Sequence, residues 1–245
     1  DLSQQIERVR EIVTAWGMNP HGLPGVEADD IIATCVKRAN EAGLRTVIVS
    51  ADKDLLQLVN GSVVMYDTMR EKVFGRLETI ERMGVPPEQV RDLLALMGDA
   101  SDNIPGVPSV GAKTAAKYLA SYGSLDGLYE NLDKIKGKAR EKLEEHRDQA
   151  YLSRDLVSLK DDVSLPFDPV DCVFDGGDVA ELRRIFSELE FTALLPSFET
   201  GESKPVSSHY AVVRDEGELL RVLSAVREAN AVAIHCLVDE GNPHK

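Results

Sequence analysis

Seven carboxylates stand at three places along this 245-residue chain: Glu27, Asp29 and Asp30, then Asp52 and Asp54, then Asp99 and Asp102. Carboxylate oxygens are the ligands that hard divalent cations such as Mg²⁺ and Mn²⁺ prefer. The five histidines are scattered and the three cysteines, Cys35, Cys172 and Cys236, lack metal-type spacing, so nothing here reads as a zinc set. Two ions about 4 Å apart can clamp the attacking and leaving oxygens of a phosphoryl displacement, one of them activating water. Such chemistry needs no side-chain nucleophile, and the chain has no Gly-x-Ser-x-Gly and no Walker phosphate loop. Simpler explanations compete at each place. Acidic residues in the first turn of a helix are favourable without metal, though the crowding at residues 27–30 exceeds what a cap requires. A lone Asp-x-Asp also occurs in phosphatases and glycosyltransferases, and Asp99 and Asp102 could be solvated residues of a plain helix corner.

The elements that must position these groups are legible around them. Asp1–Trp16 has apolar residues at helical spacing and reads as a packing helix. Ile31, Ile32, Cys35 and Val36 mark a second helix that starts at the first acidic group and closes near Gly43. Leu44–Ser50 is short, apolar and β-branched, and reads as a buried strand of a parallel αβ unit. Asp52 and Asp54 follow at its carboxyl end, where ligand sites of open α/β sheets lie. Leu55–Val59 reads as a short apolar helix and Ser62–Tyr66 as another strand. Pro86-Pro87-Glu88 opens the helix that leads to Asp99.

Between Asp102 and the next helix lies a Gly/Pro-rich turn, Ile104-Pro-Gly-Val-Pro-Ser-Val-Gly111. Gly106 and Gly111 admit positive φ or close backbone approach, while Pro105 and Pro108 stop the preceding helix and stiffen the turn. The following helix therefore begins with unsatisfied N–H groups beside Lys113 and Thr114, which favours a phosphate. Leu119–Lys142 reads as helical and basic, with breaks at Gly123 and Gly137. Glu144–Leu159 continues as helix, Asp161–Asp175 is irregular, and Val179–Phe191 is a further amphipathic helix. Phe198–Ser208 has linker composition. Beyond it come a strand at Tyr210–Val213, a helix at Glu216–Ala229 with Leu219, Leu220, Leu223 and Val226 inward, and a strand at Ala231–Val238.

The hydrophobic content of 43% supports a real core, and no apolar run approaches a membrane span. Scattered cysteines favour a reducing cytosol. The net charge of −14 alone argues against nucleic acid. Carboxylates that hold metal weaken that objection, and residues 111–142 carry seven basic side chains against four acidic ones. The chain opens at Asp1 without Met and stops in mid-pattern at Lys245, so both ends read as cut.

The strings Val26-Glu-Ala-Asp-Asp30, Ser50-Ala-Asp-Lys-Asp-Leu-Leu-Gln-Leu-Val59 and Gly98-Asp-Ala-Ser-Asp-Asn-Ile-Pro-Gly-Val-Pro-Ser-Val-Gly-Ala-Lys-Thr-Ala115 resemble the 5′-nuclease domain of bacterial DNA polymerase I. This is the branch of flap endonucleases and 5′→3′ exonucleases. The resemblance covers roughly residues 1–197, without the domain's N-terminal part. It implies an α/β fold with a PIN-like or Rossmann-like parallel sheet over residues 1–87. A helical helix–three-turn–helix region at 88–198, a linker at 199–208 and the start of a second α/β domain at 209–245 would follow. It implies that Glu27, Asp29, Asp30, Asp52, Asp54, Asp99 and Asp102 hold two or more Mg²⁺ or Mn²⁺ ions, with Asp29, Asp52, Asp99 and Asp102 serving catalysis. It implies DNA contacts from Gly106, Val107, Ser109, Val110, Gly111, Lys113, Thr114 and Lys117, with a K⁺ ion at the turn. Ser109 stands where many relatives have Gly. The last segment resembles a 3′→5′ exonuclease-like domain, but His235-Cys236-Leu237 replaces its metal-binding Asp-Thr-Glu, as in inactive forms.

The expected activity is metal-dependent, structure-specific 5′→3′ cleavage of duplex and branched DNA, including flaps, nicks and RNA/DNA primers. The expected setting is a monomer in the bacterial cytoplasm, near the nucleoid and away from membrane. The family places further metal-ligating aspartates and a basic arch upstream of Asp1. A rival reading is therefore a non-cleaving module that grips branched DNA. A phosphatase reading leaves the Gly/Pro turn and the Lys113 helix unexplained.

Overall fold

The β-branched run Thr46–Val49 forms β1 and Val63–Asp67 forms β2, paired in parallel with Thr46 opposite Val63 and Val49 opposite Tyr66. A third strand, β3 (Lys72–Phe74), lies antiparallel on β2, giving the order β1-β2-β3. Three residues are too few to display a period-2 pattern, so sequence reading alone leaves this strand unassigned. The turn into β3 is organised by Asp67, whose buried carboxylate accepts the Met69 N–H at 3.0 Å, the Arg70 N–H at 3.1 Å and Arg70 Nη1 at 2.6 Å. The Arg70 guanidinium, more than any other group, holds this carboxyl below the usual range.

The computed structural model describes residues 2–174, 176–198 and 213–228. Its helices are α1 (Leu2–Ala15), α2 (Ala28–Glu41), α3 (Arg76–Met83), α4 (Pro87–Met97), α5 (Ala112–Tyr122), α6 (Leu125–Glu130), α7 (Lys138–Glu145), α8 (Arg147–Val157), α9 (Val179–Glu188) and α10 (Glu216–Glu228). A 3₁₀ turn, Asp54–Leu58, follows β1 where a short helix is expected. The chain divides into two compact units, one ending at Ile185 and one beginning at Phe186. The expected linker at 199–208, most of the strand at Tyr210–Val213, and the strand at Ala231–Val238 with His235-Cys236-Leu237 lie outside the described residues.

The core of the first unit is built on α4. Pro87 occupies its first turn, where a missing N–H costs nothing. Leu93, Leu94 and Leu96 are fully buried, together with Leu56, Met65 and Leu119 from the flanking elements. Each such side chain contributes roughly 1.5–3 kcal/mol on burial. α4 packs on α8, α5 and the 3₁₀ turn, and it ends directly before Gly98 and the loop that carries Asp99 and Asp102.

Three expectations of burial are corrected. β1 is an edge strand; Ile48 is buried, but Val47 and Val49 on its other face are 60% and 65% exposed. On α1, Leu2, Ile6 and Val9 are exposed, and Ala15 alone is buried. On α10, Leu219, Leu220, Leu223 and Val226 are exposed rather than inward. A helix or strand stripe is buried only where a second element lies against it, and periodicity does not report the second element. Among the described residues no helix is long and apolar enough to cross a membrane.

Candidate metal centre and nucleic-acid interface

Each acidic residue reaches the site by a local necessity. Asp52 and Asp54 lie just beyond β1, where the chain turns sharply. The Asp52 N–H donates to Ser50 Oγ at 3.0 Å and the Asp54 N–H to Asp52 Oδ1 at 3.0 Å, so one short side chain shapes the loop for the next. Asp99 and Asp102 follow α4. The Asp99 N–H donates to Ile104 O at 2.9 Å and the Ile104 N–H to Asp99 O at 2.7 Å, closing residues 99–104 into a small loop. Glu27 and Asp29 sit at the start of α2, where negative charge is tolerated.

Glu27, Asp29, Asp52, Asp54 and Asp102 line one open cleft of about 430 Å³, whose wall is completed by Leu156, Val157 and Leu159. Asp54, Asp99 and Asp102 each bring an oxygen to within 4.8 Å of the others. Asp30 is turned away. Its carboxylate is buried and accepts the Lys160 N–H at 2.8 Å, and Thr34 one turn on accepts the Val163 N–H at 3.1 Å. Residues 30 and 34 share a helix face that is rotated from residues 27 and 29.

The cleft carboxylates are partly buried and crowd one another. Burial pushes the Asp54 carboxyl up to about 6, against the pull of Lys53 and with help from Asp52, Asp102 and Asp99. Asp29 is likewise raised by burial, then by Asp52 and Glu27. Asp54 Oδ1 is buried with no hydrogen-bond partner. Lys53 forms an ion pair with Asp99 and lies 4.0 Å from Asp54 Oδ1. That bond holds Asp99 below the usual carboxylate range, against burial and with support from the Ser101 N–H. For the Lys53 ammonium, burial is unfavourable, yet the bond to Asp99 and the nearby carboxylates outweigh it and raise its pKa.

The turn beyond Asp102 is made differently. Gly98 and Gly106 have φ of 73° and 60° and press backbone to backbone; a Cβ on Gly106 would lie 2.3 Å from Gly98 N. The Gly106 N–H donates to Ser153 Oγ at 3.0 Å, and Gln149 Nε2 donates to Gly106 O at 2.6 Å. Ser153 Oγ in turn donates to Gln149 O at 2.8 Å, so α8 satisfies both backbone groups of the glycine. Val107 and Val110 have buried side chains and anchor the turn in the core. Ser109 adopts φ of 69°, the left-handed conformation that glycine takes more readily, and its Oγ accepts Lys142 Nζ at 2.5 Å. Gly111 caps α5 without a side-chain acceptor, and Gly111, Ala112, Lys113 and Thr114 are exposed, as is Lys117 one turn on.

Lys53, Gln149 and Ser153 were not foreseen as site residues. Lys53 carries a signal, a lysine between two aspartates at a strand end. Gln149 and Ser153 carry none, because their partner lies more than forty residues away in sequence.

Comparison with known proteins bears on both regions. A family model described as 5′-3′ exonuclease, N-terminal resolvase-like domain, matches residues 1–84, and one described as 5′-3′ exonuclease, C-terminal SAM fold, matches residues 85–180. A DNA polymerase I of Rhizobium leguminosarum is 44% identical over 195 residues, 79% of this chain and 19% of that protein. One of Bacillus caldotenax is 36% identical over 209 residues, 83% of this chain and 24% of that protein. The chain thus spans about a fifth to a quarter of the length of these relatives. Among solved structures, T5 5′-exonuclease with zinc bound aligns with a TM-score of 0.54 and 24% identity, covering 72% of this chain and 63% of that one. The catalytic core of Rad2 in complex with a DNA substrate aligns at 0.51 and 17% identity, covering 79% and 68%. At such identities the two structures speak for the fold alone.

Proposed function

The chain belongs to the 5′-3′ exonuclease family, and from that membership we propose that it carries the nuclease activity of a DNA polymerase I: metal-dependent hydrolysis of phosphodiesters at the 5′ ends of branched and nicked duplexes. One observation carries this reading. Asp54, Asp99 and Asp102 bring oxygens within 4.8 Å of one another at a cleft that Asp54 and Asp102 line and the end of α8 walls, and α8 also holds Gly106 in the turn proposed to face phosphate.

The residues fit a divalent cation. Three hard oxygens converge, and the buried, unpartnered Asp54 Oδ1 is a ligand atom without a ligand. Asp54, Asp99 and Asp102 would hold the first ion, and Glu27, Asp29 and Asp52 across the cleft a second. Mg²⁺ or Mn²⁺ bound there would supply an activated water and neutralise charge on the phosphate. Asp30 acts from behind, tying α2 to residue 160. The backbone of residues 106–111, with Lys113, Thr114 and Lys117, grips the duplex by its phosphates and reads no bases. A K⁺ ion bridging turn carbonyls and phosphate fits this role, as do a monomeric state and a place in the bacterial cytoplasm beside the nucleoid.

The test is a duplex with a labelled 5′ flap, incubated with the chain in Mg²⁺, in Mn²⁺ and in EDTA. Short 5′ products in either metal and none in EDTA are expected. Flap binding with no cleavage in either metal would replace the nuclease reading with that of a DNA-gripping module.

A further inference from the structure

Lys53 is the cation nearest the converging carboxylates, and its surroundings define what it does. It stands between Asp52 and Asp54 in sequence, at the start of the 3₁₀ turn. Its ammonium pairs with Asp99 Oδ2 and lies 4.0 Å from Asp54 Oδ1. Asp99 Oδ1 is already taken by the Ser101 N–H at 2.9 Å. Oδ2 is the Asp99 oxygen with no backbone N–H on it and so the more open to a metal, and Lys53 is on it. A divalent ion on the same oxygen would face the ammonium at close range in a partly desolvated cleft, where like charges repel strongly. The two cations compete for the same carboxylate.

We propose that Lys53 is the resident counter-cation of the cleft: it neutralises Asp99 and Asp54 when no metal is bound and must leave Asp99 Oδ2 for a divalent ion to enter. Lys53 is then a positioning residue with two opposed effects. It keeps the crowded carboxylates folded together without metal, and it weakens metal binding by competing for a ligand. The long side chain, about one-third exposed, has room to swing outward from the cleft. The inference rests on the metal-centre reading of the cleft.

Three forms of the chain test it: wild type, Lys53→Met, which keeps length and removes charge, and Lys53→Arg, which keeps charge. Mn²⁺ affinity is measured by calorimetry and thermal unfolding is followed in EDTA and in excess Mn²⁺. Lys53→Met should bind Mn²⁺ about tenfold more tightly, because the competitor is gone. It should melt below wild type in EDTA, and the gap should close in Mn²⁺ as binding stabilises the folded state. Lys53→Arg should stay near wild type in both. Wild type alone gives an independent readout. Labelling of Lys53 by an amine-reactive ester, mapped by mass spectrometry, should rise several-fold when Mg²⁺ is added. Unchanged or weaker Mn²⁺ affinity in a folded Lys53→Met, or labelling that does not rise, would overturn the inference while leaving the metal centre standing. A wild-type chain that binds no Mn²⁺ would instead remove the metal centre, and the inference with it.

Discussion

The cleft around Asp54, Asp99 and Asp102 is held by charged side chains, whereas the turn from Gly106 to Gly111 is held mainly by backbone groups and the neutral side chains of α8, with Lys142 of α7 on Ser109 as its one charged contact among the described residues. In the cleft, oxygens converge that repel one another, one of them buried without a partner, and Lys53 is the cation paired among them. In the turn, the glycine's N–H and C=O are both satisfied and two valines are locked in the core. The first region gathers like charges around one lysine. The second is complete as it stands and presents a fixed surface. α8 joins the two regions: Gln149 and Ser153 bond Gly106, and Leu156 and Val157 at the helix end wall the cleft.

The contrast is broken most directly by removing the chemistry alone. Asp54→Ala with Asp102→Ala should lower flap cleavage by about 10³-fold, the scale of losing preorganised charge stabilisation. Duplex binding in EDTA should stay within about twofold, because the Gly106 backbone is held by Gln149 and Ser153 and not by the carboxylates. If duplex binding falls as far as cleavage, the two regions are one structural unit and the contrast fails.

The reverse experiment attacks the turn. A Cβ at Gly106 would lie 2.3 Å from Gly98 N and 2.6 Å from Met97 C, all backbone, at a φ of 60°. Neither can yield without moving the end of α4. Gly106→Ala should destabilise the chain by about 3 kcal/mol, in the range of severe steric strain at a special backbone position. Urea unfolding measures this, and a loss below roughly 1 kcal/mol would mean that the turn is softer than its packing indicates.

How these regions could be read from sequence follows from the same contrast. The placement of Asp52 and Asp54 after a strand, and of Asp99 and Asp102 before a Gly/Pro turn, was legible because those signals are local. The hydrogen bond of Asp30 to the Lys160 N–H was not, since only helix phase separates Asp30 from Asp29 and its partner is remote in sequence. The turn was legible in its glycines and prolines, but not in the α8 side chains that complete it. β1 was legible as a strand, while the exposure of Val47 and Val49 depends on what lies beside it. Local chemistry is written in local residues; tertiary partners are not.

Protonation separates the regions on a smaller scale. The Asp54 carboxyl is pushed up to about 6, above its unfolded value of 3.8. The folded chain therefore keeps a proton that the unfolded chain has lost between about pH 4 and 6. The stability this group contributes is complete below pH 4 and is lost as pH rises through 6. Metal needs the ionised form, so Mn²⁺ affinity should run the other way and fall about tenfold between pH 7 and pH 5. In metal-free protein, Asp54→Asn should remove this share of the stability change between pH 4 and 6. An Mn²⁺ affinity that is flat across that window would place Asp54 outside the metal's ligand set.

The smallest effect tests whether the turn binds by charge at all. Lys113 is exposed one residue into α5, next to N–H groups that no side chain caps. A helix start and a lysine together recognise phosphate without reading sequence. Lys113→Ala should weaken duplex binding several-fold, equally for unrelated sequences, and reduce the slope of log affinity against log salt by about 1. The loss is modest because the backbone donors remain. Their share appears in the comparison with a substitution in the cleft, which should leave the salt slope unchanged. Metal affinity supplies the other control, since Lys113 belongs to the turn and its loss should not alter Mn²⁺ binding. If Lys113→Ala leaves the salt slope untouched, or weakens one duplex sequence more than another, the turn does not grip phosphate in the way its backbone and charge imply, and the division of labour between cleft and turn loses its second half.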